Sequence, residues 1–294
     1  MKWRKRRTSA DIEDRRGRSG AMGGLPVGGA IGIPGLIVLA LVFFLTRGGG
    51  GGGAGDIGNA LDQINSGAQA NATPLNGPDP DARLVSFMSY VLDDVQKFWT
   101  KTFADSGQTY TDAKLVLFTA STSSGCGGAT SAIGPHYCPA DGKVYLDLGF
   151  FRELRDRFGA PGDFAQAYVL AHEIGHHVQD LLGISDKVDQ QMQGNGGGEG
   201  ATGLSVRLEL QADCLAGVWA HSAYERHTLS SGDLEEGLRA AAAVGDDRIQ
   251  KQATGRVDRE TWTHGSSAER VRWFRAGFDS GQTSNCDTFG ASSL

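Results

Sequence analysis

The sequence predicts an α+β protein in which helices dominate over a small sheet, with one transmembrane helix ahead of the folded domain. Three observations lead to this prediction. Apolar side chains recur at helical spacing in long segments beyond residue 82. Two short runs, Lys114–Ala120 and Lys143–Leu148, have the composition of strands. An almost entirely apolar stretch, residues 27–46, lies before all of these elements.

The beginning of the chain carries an uneven charge. The 294-residue chain has a formal net charge of −6, yet residues 1–18 hold eight Lys or Arg against three acidic residues. A basic segment of this kind suits nucleic acid or a membrane surface, and the segment after it decides between them. Because an apolar stretch follows, we predict that residues 1–26 form a disordered basic tail in the cytoplasm, and we expect no nucleic-acid partner.

The apolar stretch predicts a membrane anchor. No charged residue lies between Ser19 and Thr46, and a helix over residues 27–46 is about 30 Å long, the hydrocarbon thickness of a bilayer. The basic residues ahead of it keep the N-terminus in the cytoplasm. We therefore expect a single-pass protein of the inner (cytoplasmic) membrane that contacts lipid through one anchor helix, with its domain periplasmic or extracellular.

Two other interpretations of this stretch compete with the anchor. A cleaved signal peptide has a shorter apolar core and a small-residue cleavage site, whereas this stretch is long and ends in Thr46, Arg47 and a run of glycines. A helix buried in a core needs neighbours that pack around it, which a charged tail and polyglycine cannot provide. An uncleaved anchor is the favoured interpretation.

The remaining chain divides into a linker and a domain. Residues 47–81 are rich in glycine and proline and predict a flexible tether. Residues 82–294 predict one globular domain. Its helices are expected over Arg83–Phe103, Gly162–Leu182, Leu204–His227, Leu234–Gln250 and Ser266–Phe278.

The strongest chemical signal is the HEIGH motif at residues 172–176. Residues i and i+4 lie on one face of a helix, so His172 and His176 can hold a single metal ion. Glu173 lies beside the pair, where it can take a proton from the water that the metal activates. Two surface histidines on an ordinary helix are the simpler interpretation, but the flanks of the motif are apolar. We interpret His177 as a supporting or structural residue.

A catalytic zinc ion needs a third protein ligand and one open position. Gln179 and Leu182 stand where metzincins have glycine and histidine, so that class is excluded. Glu199 lies in a glycine run, a poor support for a ligand. Glu209 lies on a predicted helix, with Asp213 one turn later on the same face.

We therefore predict one catalytic Zn²⁺ ion held by His172, His176 and Glu209. Asp213 is predicted to accept the free ring N–H of a ligand histidine and to fix its orientation. The small residues Ala212, Ala216 and Gly217 let this helix approach the motif helix closely. A solvated acidic face is the competing interpretation.

A third segment, residues 263–270 (THGSSAER), has a structural and a functional interpretation. Ser266 or Ser267 can cap a helix through Glu269 or Arg270. His264, just before that helix, can donate a hydrogen bond to the oxyanion of a tetrahedral intermediate. Arg270 is expected to hold the loop or a substrate carbonyl.

Four cysteines are present, and none forms a CxxC pair. Cys126 and Cys138 enclose a short Gly- and Pro-containing stretch and are predicted to be bridged. The sequence leaves open whether Cys214 and Cys286 pair.

These segments resemble the bacterial family called putative neutral zinc metallopeptidases (YpfJ-like). The resemblance covers nearly the whole chain, from the basic start MKWRKRR through AHEIGHHVQ and RLELQADCLAGVWA to THGSSAERVRWFRAGF. It implies a zincin-like metallopeptidase domain whose third ligand is a glutamate. The THGSSAER segment also resembles one in HtpX-type membrane endopeptidases, in which the histidine and arginine line the active site. Those proteins have proline where this chain has Gly265.

Three functional hypotheses follow. The first is a membrane-anchored zinc-dependent endopeptidase that hydrolyses peptide bonds of a protein or peptide substrate, with Glu173 as general base. The alternative is a catalytically silent zinc-containing binding module on the membrane surface, against which the intact Glu173 argues. A third is a membrane-anchored partner-binding protein that uses its basic tail on anionic lipid headgroups or nucleic acid.

Overall fold

The computed structural model describes residues 1–4, 7–17, 78–195, 198–200 and 202–294. Within them the strands are β1 (Ile12–Asp14), β2 (Lys114–Phe118), β3 (Ser121–Ser124), β4 (Gly127–Thr130), β5 (His136–Cys138) and β6 (Lys143–Asp147). The helices are α1 (Ala82–Asp105), α2 (Gly149–Asp156), α3 (Asp163–Leu181), α4 (Ile184–Asn195), α5 (Leu204–Glu225), α6 (Asp233–Ala243), α7 (Asp246–Thr254) and α8 (Ser267–Ser280). This part of the chain has the predicted α+β character with helices dominating.

The main sheet has the strand order β1-β2-β6-β5, in which the first three strands are parallel and β5 is antiparallel to β6. Its central strands are apolar on both faces, as expected where both faces are covered. Leu115 and Leu117 of β2 belong to the large core shared with the helices. Val116 and Phe118 face the other way and pack with Ala129 of the β3–β4 hairpin.

Helix α5 runs through the middle of the helical layer. Every residue from Leu208 to Ala220 is buried, which is typical of a helix surrounded by protein. Gly175 of α3 permits close approach, since a Cβ atom there would lie 3.0 Å from the carbonyl oxygen of Ala212. Gly217 serves a different neighbour from the one expected, because its missing side chain makes room for Phe274 of α8.

Most predicted helices lie close to their expected bounds, with one division. The segment expected as a single helix over Leu234–Gln250 is two helices, α6 and α7, separated at Val244 and Gly245. The extended backbone of Gly245 lets Asp246 begin a new helix, and there is no room for a side chain at this glycine, whose Cβ would lie 2.3 Å from the Ser267 nitrogen.

The beginning of the chain is part of the domain, unlike the disordered tail that was expected. Strand β1 pairs with β2 in parallel, with Ile12 opposite Leu115 and Asp14 opposite Leu117. The Trp3 ring lies 5.2 Å from the ring of Phe87 on α1.

The basic residues described near β1 are neutralised within the domain. Arg15 binds Glu13 at 2.8 Å, and Arg16 binds both Asp14 at 2.8 Å and Asp79 at 2.7 Å. Residues 7–17, which we call the N-terminal strap, therefore lie against the sheet.

These contacts correct the predicted topology. One membrane span over residues 27–46 would place the strap and the domain on opposite sides of a bilayer, yet two strands of one sheet lie on the same side. None of the described helices is long and apolar enough to cross a membrane, and residues 27–46 themselves lie outside the described residues. The prediction of a transmembrane helix ahead of the domain, and with it the inner-membrane, single-pass localisation, is wrong.

Candidate metal centre

Helices α3 and α5 bring three predicted ligands together. His172 and His176 lie one turn apart on α3, and their Nε2 atoms are 3.2 Å from each other. The Glu209 carboxylate on α5 lies 3.2 Å from Nε2 of His172 and 3.4 Å from Nε2 of His176. One ligand atom from each of the three residues lies within 4.8 Å of the ligand atoms of the other two.

The hydrogen bonds on the far side of each ring determine which ring nitrogen faces this cluster. Nδ1 of His172 lies 2.9 Å from the Asp213 carboxylate, which can only accept when ionised. Nδ1 of His176 lies 2.8 Å from Oε1 of Gln179, which also only accepts. Both Nδ1 atoms therefore carry a proton, and each ring presents a lone pair at Nε2 to the cluster once its Nε2 proton is lost.

Two ring lone pairs and a carboxylate thus converge with no donor among them. Such an all-acceptor cluster is stable only around positive charge. Two histidines and one glutamate are also the donor set of a class of catalytic zinc sites. The residues present therefore fit a zinc ion.

The local electrostatics favour positive charge at the same point. Burial opposes protonation of His172, but the charge and hydrogen bond of Asp213 outweigh it and raise its pKa to about 10. Burial likewise opposes ionisation of Glu209, yet His176 and His172 bring its pKa well below the usual value. A bound divalent cation would supply the positive charge that protons on the histidine rings supply in its absence.

A buried ion pair holds Asp213 in place. Nε of Arg270 on α8 donates to Oδ2 of Asp213 at 2.8 Å, and its Nη2 donates to Oδ1 at 3.0 Å. The Tyr168 hydroxyl donates to the same Oδ1 atom. Asp213 is fully buried and Arg270 is 3 % exposed, so neither is a solvated surface charge. Arg270 supports the carboxylate that orients His172.

Asp246, at the start of α7, fixes the segment that contains His264. Its Oδ2 accepts from the backbone N–H of Thr263 at 2.8 Å, of His264 at 2.6 Å and of Gly265 at 3.1 Å. Its Oδ1 lies 3.1 Å from Nδ1 of His264. Gly265 has φ +88°, a conformation closed to proline, so the proline of HtpX-type segments cannot be accommodated here. Ser266 caps α8 in a capping box with Glu269, as one of the two expected caps.

The cluster opens into a cleft of about 470 Å³. Glu173 lies in its wall and is 7 % exposed, and no described side chain donates a hydrogen bond to its carboxylate. His264 lies in the same wall. The rest of the lining is largely apolar and includes Ile133, Phe150, Phe158, Val169, Leu208, Val244 and Ile249.

The remaining predicted residues are placed as follows. Cys126 is bridged to Cys138, and Cys214 to Cys286. His177 lies away from the cluster, with Nδ1 3.0 Å from the Tyr137 hydroxyl and Nε2 2.6 Å from the Thr111 carbonyl.

The glutamate that competed with Glu209 is exposed and lies outside the ligand cluster. This residue, Glu199, has no place in the group formed by the two histidines and Glu209.

A second carboxylate cluster lies at the base of α3. Asp163, Asp233 and Glu236 approach one another there. The α-amino group of Met1 lies between two of them, 2.6 Å from Asp163 and 3.1 Å from Asp233. An ammonium group therefore already pairs with two carboxylates of this second cluster.

Several residues of the site carry no motif that would have revealed them in the sequence. Tyr168 precedes His172 by one helical turn, and the sequence predicted it only as part of the apolar stripe of the helix. Asp246 lies in a segment expected to be the interior of a helix. His136, from the sheet-edge strand β5, lines the cleft and stacks on Tyr145 at 5.3 Å, although β5 was not predicted.

Comparison with known proteins agrees with this geometry. The sequence model of the family described as "Putative neutral zinc metallopeptidase" matches residues 1–289. The uncharacterized protein YpfJ of Escherichia coli (strain K12) is 46 % identical over 297 aligned residues, which cover 99 % of this chain and 100 % of that protein. The uncharacterized protein Mb2605 of Mycobacterium bovis is 48 % identical over 196 residues, 63 % of this chain and 65 % of that protein.

No solved structure matches the chain. The family match nevertheless spans nearly the whole sequence, and it includes every residue of the ligand cluster and its supports. The resemblance noted in the sequence is confirmed: this chain belongs to the family described as "Putative neutral zinc metallopeptidase".

Proposed function

We propose that this protein is a zinc-dependent endopeptidase that hydrolyses peptide bonds in a protein or peptide substrate. The observation that supports it best is the all-acceptor cluster of His172, His176 and Glu209, placed in the wall of a cleft beside Glu173. The family to which the chain belongs supports the same reaction class. The largely apolar lining favours substrates that place bulky apolar side chains in the cleft.

Each residue has a proposed role. The two histidines would hold a zinc ion through Nε2, and Glu209 would hold it through its carboxylate. Zinc at this site would act as a Lewis acid that polarises the peptide carbonyl and lowers the pKa of water. The Glu173 carboxylate takes a proton from the attacking water and delivers it to the nitrogen of the leaving amine. His264 donates a hydrogen bond from Nε2 to the carbonyl oxygen as that oxygen gains charge.

The first prediction concerns Glu173. We expect Glu173→Gln to bind zinc as the parent does and to lose hydrolysis by about 10²–10⁴-fold, because a general base of this kind contributes about that much. The measurement is cleavage of an unfolded protein substrate by the purified full chain, with and without a zinc chelator, together with metal content. A catalytically silent zinc-binding module would show no chelator-sensitive cleavage in the parent.

Glu199→Gln is the matched control, since it makes the same chemical change at an exposed glutamate outside the ligand cluster. We expect it to retain the zinc and the activity of the parent. Loss of zinc in Glu199→Gln, with full zinc in Glu209→Ala, would show that Glu199 is the third ligand and Glu209 is not.

A further inference from the structure

The two proposed histidine ligands are supported in different ways. His172 donates from Nδ1 to a carboxylate, Asp213, whereas His176 donates from Nδ1 to a neutral amide, Gln179. We propose that Gln179 and Gln211 form a relay that fixes the His176 ring with Nε2 toward the metal and ties it to the turn that contains Cys286. This inference rests on the proposed function for the metal itself.

The amide of Gln179 has all of its hydrogen-bonding groups committed. Its Nε2 donates to the carbonyl oxygen of Leu208 at 2.7 Å and to Oε1 of Gln211 at 3.0 Å. Both amide hydrogens are then used, and Oε1 is left to accept from His176 at 2.8 Å. Gln179 is fully buried, so water cannot replace any of these partners.

Gln211 adds to the Leu208 carbonyl in favouring this arrangement. Its Nε2 donates to the carbonyl oxygen of Cys286 at 3.0 Å, which turns its Oε1 toward Gln179. If the Gln179 amide were flipped, its oxygen would face two acceptors, and its nitrogen would face Nδ1 of His176. The Cys286 carbonyl thus determines the orientation of Gln211. Gln211 and the Leu208 carbonyl together determine that of Gln179, which determines the tautomer of His176.

The far end of the relay is held firmly. Cys286 closes a short turn, Thr283–Cys286, and its side chain is bridged to Cys214 on α5. Gln211 and Cys214 lie less than one helical turn apart on that helix, and Asp213 lies between them in sequence. Helix α5 therefore provides Glu209 and both routes of support, Asp213 directly for His172 and Gln211 through Gln179 for His176.

A relay of this kind has a measurable effect on metal binding. Partners that orient a ligand histidine typically contribute about 10–100-fold to metal affinity or activity. We expect Gln179→Met to lower zinc affinity within that range. Gln211→Met, which does not touch either histidine, is expected to lower it by a smaller factor, and the double variant to lose less than the product of the two single losses.

Gln96→Met is the matched control. Gln96 is also buried, at 3 % exposure, and lies on α1, where its amide donates to Asp11 in the N-terminal strap. It should bind zinc as the parent does. Affinity is measured by competition with a chromophoric chelator, and thermal unfolding of each metal-free variant verifies that it is folded. Parental affinity in folded Gln179→Met would overturn the relay, and so would parental affinity in Gln211→Met.

A second measurement needs no substitution and no metal. Nitrogen NMR of the metal-free parent, at a pH where the ring is neutral, reports which nitrogen of His176 carries the proton. The relay predicts Nδ1–H, and Nε2–H would overturn it. If the parent binds no zinc, the proposed function is overturned. The tautomer of His176 still tests the hydrogen-bond relay, because that measurement does not depend on zinc.

Discussion

His264, which we propose as a donor to the carbonyl oxygen of a bound peptide, is held in the cleft wall by one carboxylate. One carboxylate, Asp246, accepts from its ring and from three consecutive backbone N–H groups, so ring and loop are fixed together. Burial disfavours the charged ring, but the charge and hydrogen bond of Asp246 prevail and raise its pKa above the usual 6.5. The protonated ring then holds a donor at Nε2 over a wider pH range.

We predict that His264→Ala keeps its fold and its zinc and loses at least about tenfold in kcat, or ~1.4 kcal/mol in the barrier. The loss should fall on kcat more than on KM, because this donor acts mainly in the transition state. Steady-state kinetics on a peptide substrate measure it. His221→Ala is the control, since His221 binds the Phe278 carbonyl outside the cleft and should keep parental kinetics. Full activity in zinc-loaded His264→Ala would show that this histidine contributes nothing to catalysis.

Asp246→Asn extends the same prediction to pH. Removing the carboxylate charge lowers the pKa that it had raised, so the His264 ring loses its proton at a lower pH than in the parent. The alkaline fall of kcat should therefore begin at lower pH in Asp246→Asn. If kcat falls at the same alkaline pH in Asp246→Asn as in the parent, His264 does not control the pH dependence of the reaction.

Sequence spacing sufficed for some of these residues and not for others. The histidine pair and the Glu209–Asp213 pair follow from helical periodicity, because each pair lies on one face of one helix, and Glu173 follows from the motif. Asp246 and Gln211 have no such signal. Asp246 reaches His264 only because the chain turns at Gly245, and Gln211 reaches Gln179 only because α3 and α5 pack closely at Gly175 and Ala212.

At the scale of elements, the N-terminal strap illustrates where periodicity fails. Strand β1 has three residues, too few for an alternating pattern, and its neighbours are charged. Its stability comes from pairing with β2 and from ion pairs with distant residues, such as Lys143 with Glu13 at 2.7 Å. From the sequence we predicted that these charged residues lie in a solvated tail. In the structure they form ion pairs within the domain.

The strap should detach selectively in acid. The Lys143 hydrogen bond lowers the pKa of Glu13 below its usual 4.5 against the opposing effect of burial, and the Arg16 hydrogen bond lowers that of Asp79 below 3.8. A lowered folded pKa gives stability that is complete above the usual value and is lost as pH falls through the folded value.

We therefore predict that amide protection in β1 decreases as the pH falls from about 4.5 through the lowered pKa values of Glu13 and Asp79, after correction for intrinsic exchange rates. Hydrogen exchange measured by mass spectrometry tests it, with the buried strand β6 as the internal control. Glu13→Gln should make the β1 protection less dependent on pH. Unchanged protection of β1 across this range in the parent would contradict the electrostatic account of the strap.

At the scale of the whole molecule, the candidate metal centre lies where three parts of the chain meet. Helix α3 brings the motif, α5 brings the third proposed ligand and both supports, and the loop between α7 and α8 brings His264. The long helices were predictable because apolar side chains recur along them at helical spacing, whereas the shorter helices α2 and α4 were not predicted. The arrangement of the N-terminal strap in the sheet was not, and it corrected the predicted topology, because an apolar stretch in the sequence does not tell which strands pair.

The central claim is that His172, His176 and Glu209 hold one zinc ion, and anomalous diffraction at the zinc edge from crystals of the zinc-loaded protein tests it most directly. We predict one strong peak at about 2.0–2.1 Å from Nε2 of both histidines and about 2.0–2.2 Å from a Glu209 oxygen. Zinc absent from this cluster, or bound instead at the carboxylates of Asp163 and Asp233, would contradict it.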